Sequence, residues 1–298
     1  MLLSESLAIA SALCIALSSM FLSELKGRVP LFQLTRWQLL AAFVMTGLVS
    51  LVVGGWRSVD LPAFWLLAAS GVIGVAIAGT TYFATVYIVG PRITALLFSL
   101  TAPFALALGY LILGETISGW QGLGVALVLS GVVLAIGMPR HFLKGGEGAK
   151  PAPVSRLWLG IALGVFTSFG QAVGSLLARP AMAGGVEPFT AMALRSGVAA
   201  VFYVAITATP LVREHRVPVQ FNALALALIA AFLGTGLGMA LWMAALHGGD
   251  VGIVSTLTST TPVLVLPMVW IRSGTRPSQA AWLGALLVIA GIALICLG

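Results

Sequence analysis

Apolar runs of about twenty residues, the length a helix needs to cross ~30 Å of hydrocarbon, tile almost the whole chain. Ten can be read, at 4–23, 33–53, 62–83, 93–113, 119–138, 156–177, 189–209, 221–245, 251–271 and 279–297. None alternates polar and apolar residues as a barrel strand does, so helices are expected. Charged residues make up only 8% of the 298 and hydrophobic residues 60%. Soluble domains carry about 25% charged residues to cover their surface. The expected fold class is therefore an all-α membrane protein with ten transmembrane helices. The first run carries Glu5 instead of a basic leader and continues to Ser23 without a small-residue cleavage site, so a helix is expected there and not a cleaved signal.

The chain also repeats itself. A stripe of two small residues and an aromatic, Gly74/Ala78/Tyr82, recurs as Gly234/Gly238/Trp242, 160 residues later at each position (234−74, 238−78, 242−82). Arg36 recurs as Arg195 and Pro103 as Pro262, each 159 residues on, and Gly124/Gly131 recur as Gly284/Gly291. The longest polar stretch, Pro139 to Arg156, reads as a linker (139–155) between halves 1–138 and 156–298. Five helices is an odd number, so the second half must enter the membrane from the other side. An inverted-topology repeat is expected. Of the 15 Lys and Arg residues, 12 lie in the odd-numbered connections and only Arg57, Arg179 and Arg195 lie opposite, with Asp60, Glu115, Glu187 and Asp250. Basic loops stay inside, which places both termini outside. The net charge of +7 is thus a signal of topology and not of nucleic acid.

Residues four apart share a helix face. Tyr82 and Trp242 either line a pocket beside the small residues or fill the next packing layer. Ser99 and Thr101 precede Pro103, and Thr258 and Thr260 precede Pro262, both prolines being expected mid-helix. These hydroxyls either re-satisfy backbone that proline frees or mark a polar hinge near the midplane. Ser11, Cys14 and Ser18 share one face, and Thr167, Gln171 and Ser175 another. Gln171 reads as the most polar side chain deep in any run, facing a neighbouring helix or water. Arg36 and Arg195 open the second helix of each half and are expected to snorkel to the interface. No Asp or Glu is central in any run, which argues against strong proton coupling. His247 reads as a helix-end residue before Gly248-Gly249. No HExxH, GxSxG, P-loop or carboxylate pair supports enzyme chemistry, and no cofactor or metal is expected. Cys14 and Cys296 read as small apolar fillers.

Residues 90–137, GPRITALLFSLTAPFALALGYLILGETISGWQGLGVALVLSGVVLAIG, resemble the last two helices of an EamA domain in their proline, Gly114-Glu115, Gln121, Gly124 and Gly131. The second half departs from that pattern, with Thr275 where the glutamate would stand. EamA domains occur in tandem in the ten-helix drug/metabolite transporter superfamily, and the resemblance covers the whole chain. It implies alternating access around a site between the halves, built from the first, third and fourth helices of each. It also implies a small-molecule substrate, a lipid bilayer of the bacterial inner-membrane type, and no nucleic acid. Within the superfamily the chain looks most similar to bacterial exporters of aromatic amino acids of the YddG kind. On that basis Tyr82, Trp242, Gln171, Ser18, Ser99 and Thr258 are the expected substrate contacts, with hinges at Pro103 and Pro262. The expected function is export of amino acids, aromatic ones foremost, with facilitated transport favoured by the missing central carboxylate. A multidrug or organic-cation exporter and a gated pore remain as alternatives, although a pore needs a continuous polar stripe and only patches are seen. Monomer and homodimer both stay open, because Gly124/Gly131 and Gly284/Gly291 suit either a dimer seam or packing inside one bundle.

Overall fold

The computed structural model describes residues 2–114, 116–136, 154–208, 220–248, 251–258, 260–273 and 278–297, and among them there are helices and connections but no strand. The first half comprises α1 (Leu2–Glu24), α2 (Leu31–Val53), α3 (Leu61–Ser70), α4 (Ala78–Phe98), α5 (Thr101–Leu108) and α6 (Gly119–Ile136). The second comprises α7 (Val154–Ala183), α8 (Pro188–Ala208), α9 (Phe221–Ala230), α10 (Met239–Gly248), α11 (Val251–Thr258), α12 (Thr261–Ser273) and α13 (Gln279–Leu297). Among the described residues, six helices are long and apolar enough to cross a membrane: Leu3–Glu24, Leu31–Val53, Leu61–Pro91, Arg156–Ala183, Pro188–Thr207 and Phe221–Gly248. They correspond to the first, second and third apolar runs of each half. Most of the expected linker, 139–153, lies outside the described residues, as do the basic connection around Arg213 and Arg216, Glu115 and Asp250.

The third helix of each half is interrupted at the same place. A π-helical stretch, Gly71–Ile77, joins α3 to α4, and its counterpart, Ala231–Gly238, joins α9 to α10. The wider turn is visible where the Ala78 N–H reaches Ile73 O and the Met239 N–H reaches Gly234 O, both five residues back. Such stretches are uncommon and cluster at functional positions. The first-half helix also runs further than position 83. It continues to Gly90, where φ 82° breaks it before Pro91 begins the next segment.

The fourth run of each half is not one helix. In the first half it breaks at Ser99 and Leu100, between α4 and α5; in the second it breaks between α11 and α12. Pro103 and Pro262 are therefore not mid-helix, as expected from sequence, but stand third and second in new helices. The physical reason is steric. A proline ring collides with the carbonyl four residues back, here Ser99 or Thr258, so a helix bends or breaks ahead of it, and in both fourth runs it breaks and restarts with proline in the first turn. The Thr258 carbonyl accepts from Thr261 Oγ1 at 2.7 Å, and Leu97 O, at the end of α4, accepts from Ser168 Oγ of α7 at 2.7 Å.

Equivalent helices of the two halves pack antiparallel. On α2 and α8, Ser50 Oγ lies 2.6 Å from Thr190 Oγ1, while Tyr203 donates to Phe32 O at the other end. On α6 and α13, a Cβ at Gly131 would lie 2.6 Å from Gly284 O, and one at Gly291 would lie 2.7 Å from Gly124 O. The repeated glycines thus meet one another inside a single chain. At the start of α6, Ser118 N–H donates to Gln121 Oε1 and Gln121 N–H to Ser118 Oγ, each at 3.1 Å, a reciprocal capping box that accounts for Gln121.

This seam gives a sharp contrast. Gly131→Ala is expected to cost about 1–3 kcal/mol through overpacking and to lower the melting midpoint in detergent. Gly122→Ala on the same helix, where a Cβ meets nothing within 4 Å, should not lower it.

Candidate functional site

The first helix of each half crosses into the other half, and the site lies where they cross. Helix α7 runs antiparallel to the third helix of the first half. Thr167 Oγ1 donates to Thr81 Oγ1 at 2.7 Å, a Cβ at Gly170 would lie 3.1 Å from the Ala78 methyl, and one at Gly174 would lie 2.8 Å from Gly74 Cα. Only residues without side chains allow backbones this close. Helix α1 does the same to the π stretch of the second half. Ser11 donates to Gly238 O at 2.7 Å and Ser18 to Ala230 O at 2.8 Å, one at each end of the stretch.

Between these crossings lies a cavity of about 80 Å3. It has room for a few waters and is smaller than the usual small-molecule site. Ile15, Ser18 and Leu22 line it from α1, Gly74, Ala78, Gly79 and Tyr82 from the third helix, Phe98 from the end of α4, Thr167 and Gln171 from α7, and Thr235 and Met239 from the second half. One end is aromatic. Tyr82 packs edge-on against Phe83 (5.9 Å) and Phe98 (5.5 Å), and Phe98 packs edge-on against Trp242 (6.3 Å).

Three of the six expected contacts, Ser18, Gln171 and Tyr82, are on the cavity wall. The Ser18 hydroxyl is already committed to the backbone of the opposite half. Gln171 is only 5% exposed and its Nε2 has no hydrogen-bond partner. Trp242 is wholly buried one layer back, behind Phe98, and its indole N–H is also unpartnered. Ser99 is buried in the break between α4 and α5, and the Thr258 hydroxyl donates to Val254 O at the end of α11. Neither is among the residues that line the cavity.

Two expectations are corrected. Arg195 does not snorkel: it sits two turns inside α8 and is 0% exposed. Gln171 is not the most polar group deep in a run, because Arg195 is a cation and Gln38 on α2 is likewise 0% exposed. Gln38 Nε2 donates to Ala227 O at 3.0 Å, just ahead of the second π stretch. Sequence reasoning passed over Gln38 and Phe98. A glutamine in an apolar run is a visible signal, whereas Phe98 is one of many phenylalanines until the helix break sets its direction. His247 stands in the last turn of α10, as expected. Its Nδ1 lies 2.7 Å from Met182 O, and since a carbonyl only accepts, Nδ1 must carry the proton.

The model of the EamA-like transporter family matches residues 2–137 and again 158–297. The chain belongs to that family. It is a transporter with two EamA repeats, and the two matches fall on the two halves that pack antiparallel. No curated protein matches. A solved structure, described only as the crystal structure of a protein, superposes on 99% of this chain and 96% of its own, with a TM-score of 0.75 and 20% identity. At that identity the likeness speaks for the fold alone.

Gly79 offers a clean test of the cavity. It is on the wall, yet a Cβ there meets nothing within 4 Å. Gly79→Leu should leave the melting midpoint unchanged and lower reconstituted transport by roughly tenfold or more, because the new side chain occupies the cavity without disturbing the packing.

Proposed function

We propose that this EamA transporter is a ten-span exporter of amino acids, aromatic ones foremost, working by alternating access between inverted halves. The observation that carries this is the position and character of the cavity. It lies between the crossings of each first helix with the third helix of the other half, with the edge-packed rings of Tyr82 and Phe98 at one end and the unpartnered Gln171 amide within its wall. Rings offer flat faces to a planar side chain, and a free amide donor suits the polar end of a zwitterion. Trp242 backs this aromatic wall through Phe98.

The small volume fits a conformation closed around the site. Entry of an amino acid then requires the halves to part, and the breaks before Pro103 and Pro262 are where the fourth helices bend most cheaply. Ser99 and Thr258 flank those breaks and come to the substrate only as the helices move. With the broken fourth runs and the fifth helices counted, each half has five spans, an odd number that fits the antiparallel pairing of the halves. By the distribution of basic residues, the odd-numbered connections face the cytoplasm and both termini face outside. With no central carboxylate among the spans, export runs down the substrate gradient.

The test is flux in reconstituted liposomes across a panel of aromatic amino acids, aliphatic amino acids and organic cations. Saturable flux of tryptophan or phenylalanine, competed by other aromatic amino acids, is the expected result. Tyr82→Ala should lower it by about tenfold or more, the loss of one good stacking contact and its ordering, with Trp242→Ala acting in the same direction. Preferred flux of organic cations would assign a drug exporter instead, and unsaturable ion current a pore. Flux unchanged in both variants would remove the aromatic wall from the substrate site.

A further inference from the structure

A cation is buried beside this cavity with no carboxylate among the described residues to hold it. Arg195 is 0% exposed. Its Nη1 donates to Met243 Sδ at 3.3 Å, a weak acceptor, while Nε and Nη2 have no partner. No carboxylate among the described residues pairs with it. A guanidinium stays charged in any protein environment, and a charged group inside a membrane bundle is costly unless function needs it. Its surroundings are cut to admit it. A Cβ at Gly74 would lie 3.1 Å from Nη2 and one at Gly174 3.5 Å, while a Cβ at Gly71 would lie 2.5 Å from the Arg195 carbonyl. Three glycines on two helices thus form the notch in which this residue sits.

The notch adjoins the site through Gly74, although Arg195 itself does not line the cavity. Gly74 is both the neighbour of Nη2 and part of the cavity wall. Gln171, one turn from Gly174 on α7, lines the same cavity, and its Nε2 is also buried without a partner. Buried donors without acceptors therefore gather at one seam, between α7 and the π stretch Gly71–Ile77. The aromatic end at Tyr82 is eight residues further along that helix, about 12 Å at 1.5 Å per residue.

We infer that Arg195, with Gln171 beside it, is the receptor for a carboxylate, and that the transported molecule must carry one. The guanidinium presents two parallel N–H groups that match the two oxygens of a carboxylate. The carboxylate supplies the missing negative charge as the Gly74–Gly174 contact parts. The same unpaired cation repels a protonated amine that has no acid group, so organic cations are excluded by design of charge and not by size. This inference rests on the cavity being the substrate site, but it does not depend on the aromatic preference.

The experiment is thermal unfolding of the purified full chain in detergent, with and without four probes: phenylalanine, 3-phenylpropanoate, phenethylamine and leucine. Phenylalanine and 3-phenylpropanoate should raise the midpoint of the wild type, and phenethylamine, which lacks the carboxylate, should not. Arg195→Met should itself melt at the same or a higher temperature, since it removes an uncompensated charge, and should lose the response to every carboxylate. Arg195→Lys, which keeps the charge but not the fork, should need at least about tenfold more ligand for the same shift. A shift with leucine but with no aromatic acid would sink the aromatic preference and leave this inference standing. Protection by phenethylamine equal to that by phenylalanine overturns it. So does a carboxylate response kept in Arg195→Met, or no response of the wild type to any carboxylate. If Arg195→Met fails to fold while Arg195→Lys binds as the wild type does, the residue is a structural strut and the inference is likewise overturned.

Discussion

Everything central in this molecule depends on satisfying backbone groups where helices are irregular. An apolar chain has few polar side chains to spare, and in lipid an orphaned carbonyl or N–H has no water to turn to. The π stretches of the two third helices and the break after α4 are where the opposite half reaches in. Ser11 and Ser18 of α1 bond carbonyls at both ends of Ala231–Gly238. Ser168 of α7 bonds Leu97 at the break of the fourth helix, and Ser70 donates to Gly174 O at 2.6 Å. Each bond is worth about 1 kcal/mol net, and more when its loss would strand a buried acceptor. Local irregularity and contact between the halves are therefore one feature seen from two sides.

The periphery follows a different logic. Along α6 and α13 glycines meet carbonyls in a regular antiparallel seam, and α2 and α8 pair in the same sense. These helices are continuous and their contacts repeat. At the centre the helices are widened or broken and their contacts do not repeat. A bundle with a regular rim and an irregular middle can change at the middle while its outer pairs persist, because broken helices have fewer backbone bonds to lose on bending.

Much of this was legible in the chain, and the failures have identifiable causes. The 160-residue shift anticipated two like halves, and the family match falls on both. The glycine pairs were visible, but whether they faced a second copy or each other was not, since that depends on which helices become neighbours. The π stretches were hidden, because GVIGVAI and AFLGTGLG read as ordinary helix in any apolar pattern. The prolines were seen and misplaced. An unbroken apolar run conceals a break, although a Ser/Thr cluster just before proline is also how a new helix begins. Arg195 was misjudged because its burial rests on Gly71, Gly74 and Gly174, residues more than twenty positions away in sequence and scattered over two other helices.

The duplication makes the asymmetries of the centre informative. Tyr82 and Trp242 are equivalent in sequence, yet Tyr82 is on the cavity wall and Trp242 stands behind Phe98. Arg36 and Arg195 are equivalent as well, but only Arg195 is fully buried. Two identical halves facing each other would enclose a cavity with like ends, which favours no orientation in a bound molecule. Here the aromatic rings gather toward one end of the third helix, and the unpartnered donors of Arg195 and Gln171 lie toward the other. A cavity with unlike ends holds a molecule with unlike ends in one direction only, and it does so by the differences between the copies and not by what they share.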